Sequence, residues 1–84
     1  MNVYDLAKKL KVMYSLEKVN KTAMIHLFGV IYADFMAENN ITASEVVRLS
    51  GISSAYVTEV NKGKNLSEYV EIKDKYRSVF LDED

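Results

Sequence analysis

Side chains suited to catalysis or metal binding are scarce in this chain of 84 residues. It has no cysteine and a single histidine, His26, so thiolate and histidine-based metal sites have little material. Asp34 and Glu38 lie four residues apart, a spacing that places two carboxylates on one helix face and is compatible with acid–base chemistry. No pocket residues accompany them, so we interpret the pair as solvated surface. The sequence predicts a protein that is not an enzyme and uses no cofactor or metal.

Hydroxyl, amide and ammonium groups are concentrated instead between residues 42 and 65. Serine and threonine hydroxyls in this stretch are followed by two asparagines and two lysines within five residues, Asn61 to Asn65. Such groups form hydrogen bonds and ion pairs without breaking covalent bonds. The chemistry of this region is therefore that of binding, and the elements that position it decide what is bound.

The overall composition is that of one globular domain. Apolar residues make up 49% of the chain and charged residues 27%, an ordinary balance for a folded protein of this size. No apolar run approaches the roughly 18 residues of a membrane span, and the first residues lack the pattern of a signal peptide. We therefore expect a cytoplasmic protein with no membrane partner. Charge is polarised: residues 1–22 carry five lysines and two carboxylates, whereas residues 66–84 carry three basic and six acidic side chains.

Caps and glycines must separate the helices, because the chain contains no proline. The predicted N-caps are Asn2 (paired with Asp5), Asn20, Thr42, Ser53 and Ser67, and the predicted stops are Gly51 and Gly63. Five helices are expected, over about residues 3–18, 21–39, 43–50, 54–62 and 68–80. The last has Tyr69, Ile72, Tyr76 and Phe80 on one face. The fold class is all-α, a compact bundle of about five helices.

Apolar residues stand at fixed distances from Gly51, between two short predicted helices. Two precede it by five and four residues, and three follow it by one, six and nine: Val46, Val47, Ile52, Val57 and Val60. Helix geometry places these side chains on the inward faces of the two helices, and the sharp turn favours the positive φ that glycine adopts without strain. Two short helices joined in this way are the sequence form of a helix-turn-helix.

The stretch ITASEVVRLSGISSAYVTEVNKGKNLS resembles the lambda-repressor and Cro-like family of bacterial and phage regulators, also called the xenobiotic-response-element (XRE) family. The resemblance is carried by Val46-Val47, Gly51-Ile52-Ser53, Tyr56-Val57 and Asn61-Lys62-Gly63-Lys64. The chain departs from the family in three ways. Val47 replaces the usual alanine, Ala43 replaces a frequent glutamine, and the helix before the motif is apolar where the family's is charged.

The family resemblance implies a division of labour among the polar residues. Base edges or nearby phosphates would be contacted by the outward residues of the second motif helix, Ser53, Ser54, Ala55, Thr58 and Glu59. Phosphates would be contacted by Thr42, Ser44, Arg48, Tyr56, Asn61, Lys62, Lys64 and Asn65. The alternative for both sets is an ordinary solvated surface. Tyr56 can equally be a partly buried packing residue, and Arg48 can pair with Glu45.

In this interpretation residues 1–84 form a single helix-turn-helix domain. It consists of an extra basic amphipathic helix (1–19), an apolar core helix (20–40), the helix-turn-helix (41–65), and a final helix with an acidic tail (66–84). His26 is interpreted as a hydrogen-bonded packing histidine. The lysines of the first helix form either a solvated face or an arm that touches the DNA backbone: Lys8, Lys9 and Lys11.

The resemblance predicts a sequence-specific, DNA-binding transcriptional regulator, a repressor that binds a palindromic operator in double-stranded DNA as a homodimer. Such a chain suits a phage or mobile-element regulator, or an antitoxin-like autoregulator with a protein partner. The alternative is a protein-interaction module that kept the scaffold and lost DNA binding. A net charge of −1 and the lack of Arg or Lys at the base-facing positions favour that alternative.

The dimer contact is predicted on apolar surface from the first helix and residues 24–36. The reason is that apolar side chains extend nearly around the second helix, and exposed apolar patches usually mark interfaces. The alternative is that the first helix folds back and completes the core by itself.

Overall fold

The computed structural model describes residues 1–76 and shows a bundle of α-helices. The elements are α1 (Val3–Ser15), α2 (Lys21–Glu38), α3 (Ala43–Ser50) and α4 (Tyr56–Leu66), and residues 74–76 are helical again. No strand occurs in residues 1–76, so the all-α prediction is confirmed. None of the four helices is long and apolar enough to cross a bilayer. Phe80, predicted on the last helix, lies outside the described residues.

The first two helices begin at the predicted caps. The backbone N of Asp5 donates to Asn2 Oδ1 at 2.9 Å, and the backbone N of Asn2 donates to Asp5 Oδ2 at 3.2 Å, which completes a capping box. Asn20 Oδ1 accepts from the backbone N of Ala23 at 2.8 Å. α1 ends three residues sooner than predicted, because Leu16 is extended and Lys18 has a φ of +61°. Residues 16–20 therefore form a linker.

Two predicted boundaries in the second half of the chain are wrong. The second motif helix was expected over residues 54–62, but α4 begins at Tyr56 and continues through Gly63 to Leu66. Ser67 was expected to begin a helix, but its backbone N bonds to the Lys64 carbonyl at 3.2 Å and so closes α4. Residues 67–69 form a turn and residues 70–73 have no regular structure. The first error arises because Ala55 and not Ser53 precedes α4 and because Gly63 lies inside the helix, whereas Ser67 was assigned to the wrong end of a helix.

The core lies between the facing sides of all four helices. Leu6 and Leu10 of α1, Phe28 of α2, Val46 of α3 and Val60 of α4 are fully buried. Four of the five predicted inward residues are buried: Val46, Val47, Ile52 and Val60. The fifth, Val57, is partly buried against the core. Packing is densest between α2 and α4 and between α1 and α3. α1 therefore folds back onto the bundle and completes the core.

The long apolar surface of α2 is largely covered within one chain. α1 and α4 pack on two sides of it. On another side Met24 and Leu27 face Val70 and Ile72 across an apolar hollow of about 320 Å³. The apolar side chains of residues 24–36, which motivated the predicted dimer contact, are thus mostly covered by other parts of the same chain.

Two glycines allow α2 and α4 to touch along their backbones. A Cβ atom on Gly63 would collide with the backbone oxygen of His26 and lie 3.0 Å from the Gly29 Cα. A Cβ atom on Gly29 would collide with the Val60 carbonyl oxygen and lie 2.8 Å from the Lys64 backbone N. Gly63 was predicted to stop a helix, and that prediction is wrong. It is buried in the middle of α4, where the absence of a side chain permits the close approach.

Candidate nucleic-acid-binding surface

The turn between α3 and α4 is fixed by local hydrogen bonds. Gly51 ends α3 with a φ of +81°, as its predicted role requires. Ser50 Oγ donates to the Val47 carbonyl at 2.7 Å and accepts from the backbone N of Ile52 at 3.3 Å. The Ile52 side chain is buried in the core. These contacts fix the turn between the two motif helices.

The first motif helix begins at the predicted cap. Thr42 Oγ1 accepts from the backbone N of Glu45 at 3.1 Å, and both Thr42 and Ser44 are exposed. Arg48 is also exposed and forms no ion pair with Glu45 in the described part of the chain. Ala43 is buried, so the position where the resembled family often carries glutamine serves packing in this chain.

The second motif helix and the turn before it expose a row of mostly polar side chains to solvent. Ser53, Ser54 and Ala55 are exposed at its start, where Ser53 Oγ accepts from the backbone N of Ala55 at 3.2 Å. Spacings of three and four residues from Ser54 lead along the same side of the helix. The members of this row, all exposed, are Ser54, Ala55, Thr58, Asn61, Lys62 and Asn65. We call this set the α4 strip.

The polar residues at the end of the motif lie within α4. The predicted helix over residues 54–62 would leave Lys64 and Asn65 beyond its end, and this boundary is wrong, because α4, which we call the recognition helix of the motif, extends to Leu66. Lys62 has 59% of its side chain exposed, whereas Lys64 is only partly exposed. Thr58 of the predicted base-facing set therefore shares one exposed surface of α4 with three predicted phosphate-facing residues, Asn61, Lys62 and Asn65. The other exposed phosphate-facing candidates, Thr42, Ser44 and Arg48, belong to α3 or its cap.

Glu59 differs from the other predicted base-facing residues. Its carboxylate Oε1 is 2.6 Å from His26 Nε2, and its Oε2 is 3.6 Å from Lys62 Nζ. Only 22% of the Glu59 side chain is exposed. The hydrogen bond with His26, supported by the charge of Lys62, lowers the pKa of Glu59, although partial desolvation acts in the opposite direction. The carboxylate is thus held against α2.

The interpretation of His26 as a hydrogen-bonded packing histidine is confirmed. Its partner was not foreseen, although a signal exists: Glu59 directly precedes the buried Val60 and so flanks the inward face of α4. Asp34 and Glu38 are both exposed, as predicted.

Tyr56 connects the recognition helix to α1. Its partly buried ring packs edge-to-face on the ring of Tyr14, with centroids 5.3 Å apart and an interplanar angle of 79°. Lys21 Nζ lies 3.9 Å from the centroid of the Tyr14 ring, and Lys11 Nζ lies 5.7 Å from it. Sequence reasoning missed Tyr14 and Lys21, because nothing local to either residue indicates a contact with a helix so distant along the chain.

Comparison with known proteins points to the same architecture. The sequence profile of an HTH-like domain family matches residues 2–73 and so spans α1 through the segment after α4. Searches of curated proteins and of solved structures gave no match. The matched region includes α1, which shows that this helix is part of the family's domain. The chain belongs to the HTH-like domain family.

Proposed function

We propose that this chain is a sequence-specific DNA-binding transcriptional regulator, a cytoplasmic repressor that binds a palindromic operator as a homodimer. The observation that carries the proposal is the α4 strip, an exposed and mostly polar surface on the second helix of a helix-turn-helix and on the turn before it. An α-helix of this kind fits the major groove, where side chains meet base edges.

The chemistry of the α4 strip suits direct readout of bases. Ser54 and Thr58 carry hydroxyls that hydrogen-bond to several base edges, and Ala55 or the Thr58 methyl group can contact a thymine methyl. Glu59 contributes less than the sequence suggested, because His26 already occupies its carboxylate. Base preference in this proposal therefore depends mainly on Ser54, Ala55 and Thr58.

Phosphate contacts surround this reading surface. Lys62 and Lys64 supply charge from α4, and Arg48 supplies it from α3. Hydroxyl and amide groups complete the set: Thr42, Ser44, Asn61 and Asn65, with the Tyr56 hydroxyl beside them. These contacts orient the helix on the duplex and carry no base preference.

A relationship to the lambda-repressor and Cro-like regulators is part of the proposal. It is supported by the buried positions around Gly51, which keep the spacing that the resemblance rests on. The backbone contact between α2 and α4 and the buried Ala43 are features of this chain that the resemblance did not lead us to expect.

Homodimerisation is proposed because one domain of this size reads too few base pairs for operator affinity. Three apolar side chains remain exposed along the outer side of α1 and directly after it, with the exposed Lys8 between the first two, and together they form a broken apolar stripe. Tyr4 is 63% exposed, Val12 62% and Leu16 38%. A second copy packed on this stripe would bury it. Light scattering at micromolar concentration should give a dimer mass that Val12→Lys reduces to 9.6 kDa, and a 9.6 kDa wild-type particle throughout would exclude the dimer.

The proposal is tested by fluorescence anisotropy with duplexes from upstream of the protein's own gene and with scrambled controls. We expect tighter binding to one upstream site. Thr58→Ala should change the preferred base at one position, whereas Lys64→Ala should weaken all duplexes equally and lower the salt slope by about 1. A Lys64→Ala variant that changes base preference with an unaltered salt slope would contradict this division.

The second candidate function is a protein-interaction module, with a toxin-like protein as one partner class. The absence of Arg and Lys at Ser54, Ala55 and Thr58 favours it, because the bidentate contact to guanine is then missing. Equal and weak binding to every duplex by the folded wild-type protein would favour this function over sequence-specific readout.

A further inference from the structure

We propose that Lys21 and Lys11, gathered around the Tyr14 ring, form a second phosphate-binding site for duplex DNA. This site lies outside the helix-turn-helix, where α1 and α2 meet the start of the recognition helix. The inference rests on the proposed function and extends it, because it assigns part of the DNA contact to the N-terminal helix and the linker that follows it.

Lys21 is held in position by two contacts with one residue. Its Nζ donates to the Tyr14 carbonyl oxygen at 2.6 Å and lies 3.9 Å from the centroid of the Tyr14 ring. A cation at this distance from an aromatic face is attracted by the ring. An ammonium group has three N–H donors and this hydrogen bond uses one, so the others remain to bind an anion. Fixing the side chain beforehand reduces the entropy lost on binding.

Tyr14 joins these lysines to the recognition helix. Its ring packs edge-to-face against Tyr56, the first residue of α4, with centroids 5.3 Å apart. The residues directly before Tyr56 are exposed and belong to the predicted base-facing set. A duplex that receives the start of α4 in its major groove therefore brings one flanking phosphate strand towards Tyr14 and the two lysines.

Among residues 1–76, no carboxylate forms an ion pair with the two lysines around Tyr14, Lys11 and Lys21. Residues 1–22 carry five of the chain's eleven basic side chains, whereas Ser54, Ala55 and Thr58 carry no charge. A regulator with a net charge of −1 needs a local source of positive charge to approach a polyanion. This cluster supplies it beside the reading helix.

The same geometry has a purely structural interpretation. Tyr14 lies in the last turn of α1, which contains no basic residue, so Lys21 also satisfies a carbonyl at the end of that helix. A capping role affects the stability of the protein. A phosphate contact affects the salt dependence of DNA binding. The two roles therefore have separate readouts.

The test measures the affinity for one fixed duplex between 50 and 200 mM salt, with Lys11→Gln, Lys21→Gln and the double variant. Each lost phosphate contact should lower the slope of log affinity against log salt by about 0.9, so the double variant should lose about 1.8. Over this fourfold change in salt, the affinity of the double variant should fall about tenfold less than that of the wild type. Lys21→Arg should keep the wild-type slope.

Lys73→Gln is the matched control, because it removes one positive charge from the segment after α4, beside the apolar hollow. It should leave the slope unchanged. Circular dichroism at the assay temperature selects conditions in which every variant is folded, and Lys11→Gln spares the hydrogen bond to Tyr14. A wild-type slope in the folded double variant overturns this inference. If the folded wild-type protein binds no duplex at 50 mM salt, the proposed function itself fails.

Discussion

The turn from α3 into α4 and the crossing of α2 with α4 are specified by different kinds of residues. Where α3 turns into α4, the structure is specified by neighbouring residues: Gly51 at positive φ, the Ser50 hydroxyl in the turn, and Ile52 in the core. Where α2 crosses α4, it is specified by residues far apart in the chain, above all Gly29 and Gly63. The motif thus defines the turn, whereas a helix outside the motif defines how the recognition helix is held.

The largest expected loss of stability is that of Gly63→Ala, at the crossing of α2 and α4. In an exposed helix interior this change adds stability, because alanine is the better helix former by about 1 kcal/mol. The new Cβ at this position collides with the His26 backbone oxygen, which cannot move without displacing α2. We expect a loss of about 3 kcal/mol or more and a melting temperature lower by at least about 12 °C.

Asn65→Ala is the control for Gly63→Ala, because it changes helix propensity at an exposed position of the same helix. Thermal melting followed by circular dichroism should show little change or a slight gain for the control. A Gly63→Ala protein as stable as wild type would show that the backbones of α2 and α4 are not in contact in solution.

The difference between the α3–α4 turn and the α2–α4 crossing also explains which parts of the structure are predictable from the sequence. The caps of α1, α2 and α3 and the turn at Gly51 follow from residues within one helical turn of each other. The assignment of Gly63 failed because glycine serves both as a helix stop and as a contact point between helices, and only the position of α2 distinguishes the two. Val47, which replaces the alanine usual in the resembled family, is buried in the core.

The candidate site divides in the same way. The exposure of Thr58 follows from its spacing relative to Val60 within α4, and Ser54 and Ala55 are exposed in the turn before that helix. The contact between Tyr14 and Tyr56 and the one between His26 and Glu59 each join two helices, and no periodicity within either helix encodes them. Sequence reasoning therefore predicted which residues of the motif are exposed and missed the contacts that hold α4 against α1 and α2.

A smaller effect is expected for Val57→Asp, which introduces a carboxylate on the motif's own inward side. Val57 is partly buried against the core, so part of the new charge stays desolvated. We expect a loss of about 2 kcal/mol in urea unfolding. Val60→Asp is the matched comparison, because Val60 is fully buried and should cost more. Equal stabilities for the two variants would show that the register of α4 is wrong.

A still smaller effect is expected for Gly51→Ala. No atom lies within 4 Å of the position that a Cβ would occupy, so the cost is confined to the positive φ. That conformation costs a residue with a side chain about 1–2 kcal/mol. Gly51→Asn should recover part of the loss, because asparagine tolerates this region better. Urea titrations of the two variants decide the point, and a loss for Gly51→Ala as large as that for Gly63→Ala would remove the contrast between the turn and the crossing.

The smallest expected effect concerns the hydrogen bond between His26 and Glu59, which joins α2 to the recognition helix and depends on pH. The pKa of Glu59 is lowered in the folded protein below its ordinary value of 4.5. A carboxyl group with a lowered pKa binds protons more readily in the unfolded chain. Its contribution to stability is therefore fully present above that ordinary value and is lost as the pH falls through the lowered one.

Glu59→Gln removes the charge at every pH, so wild type should exceed it in stability at pH 7, and the gap should close in the acid range. Urea unfolding of both proteins from pH 7 down to pH 3 measures the gap, with Glu38→Gln as the control because Glu38 is exposed and forms no ion pair with any residue in the range 1–76. A gap that stays constant with pH would mean that the difference between the two proteins does not come from the ionisation of Glu59.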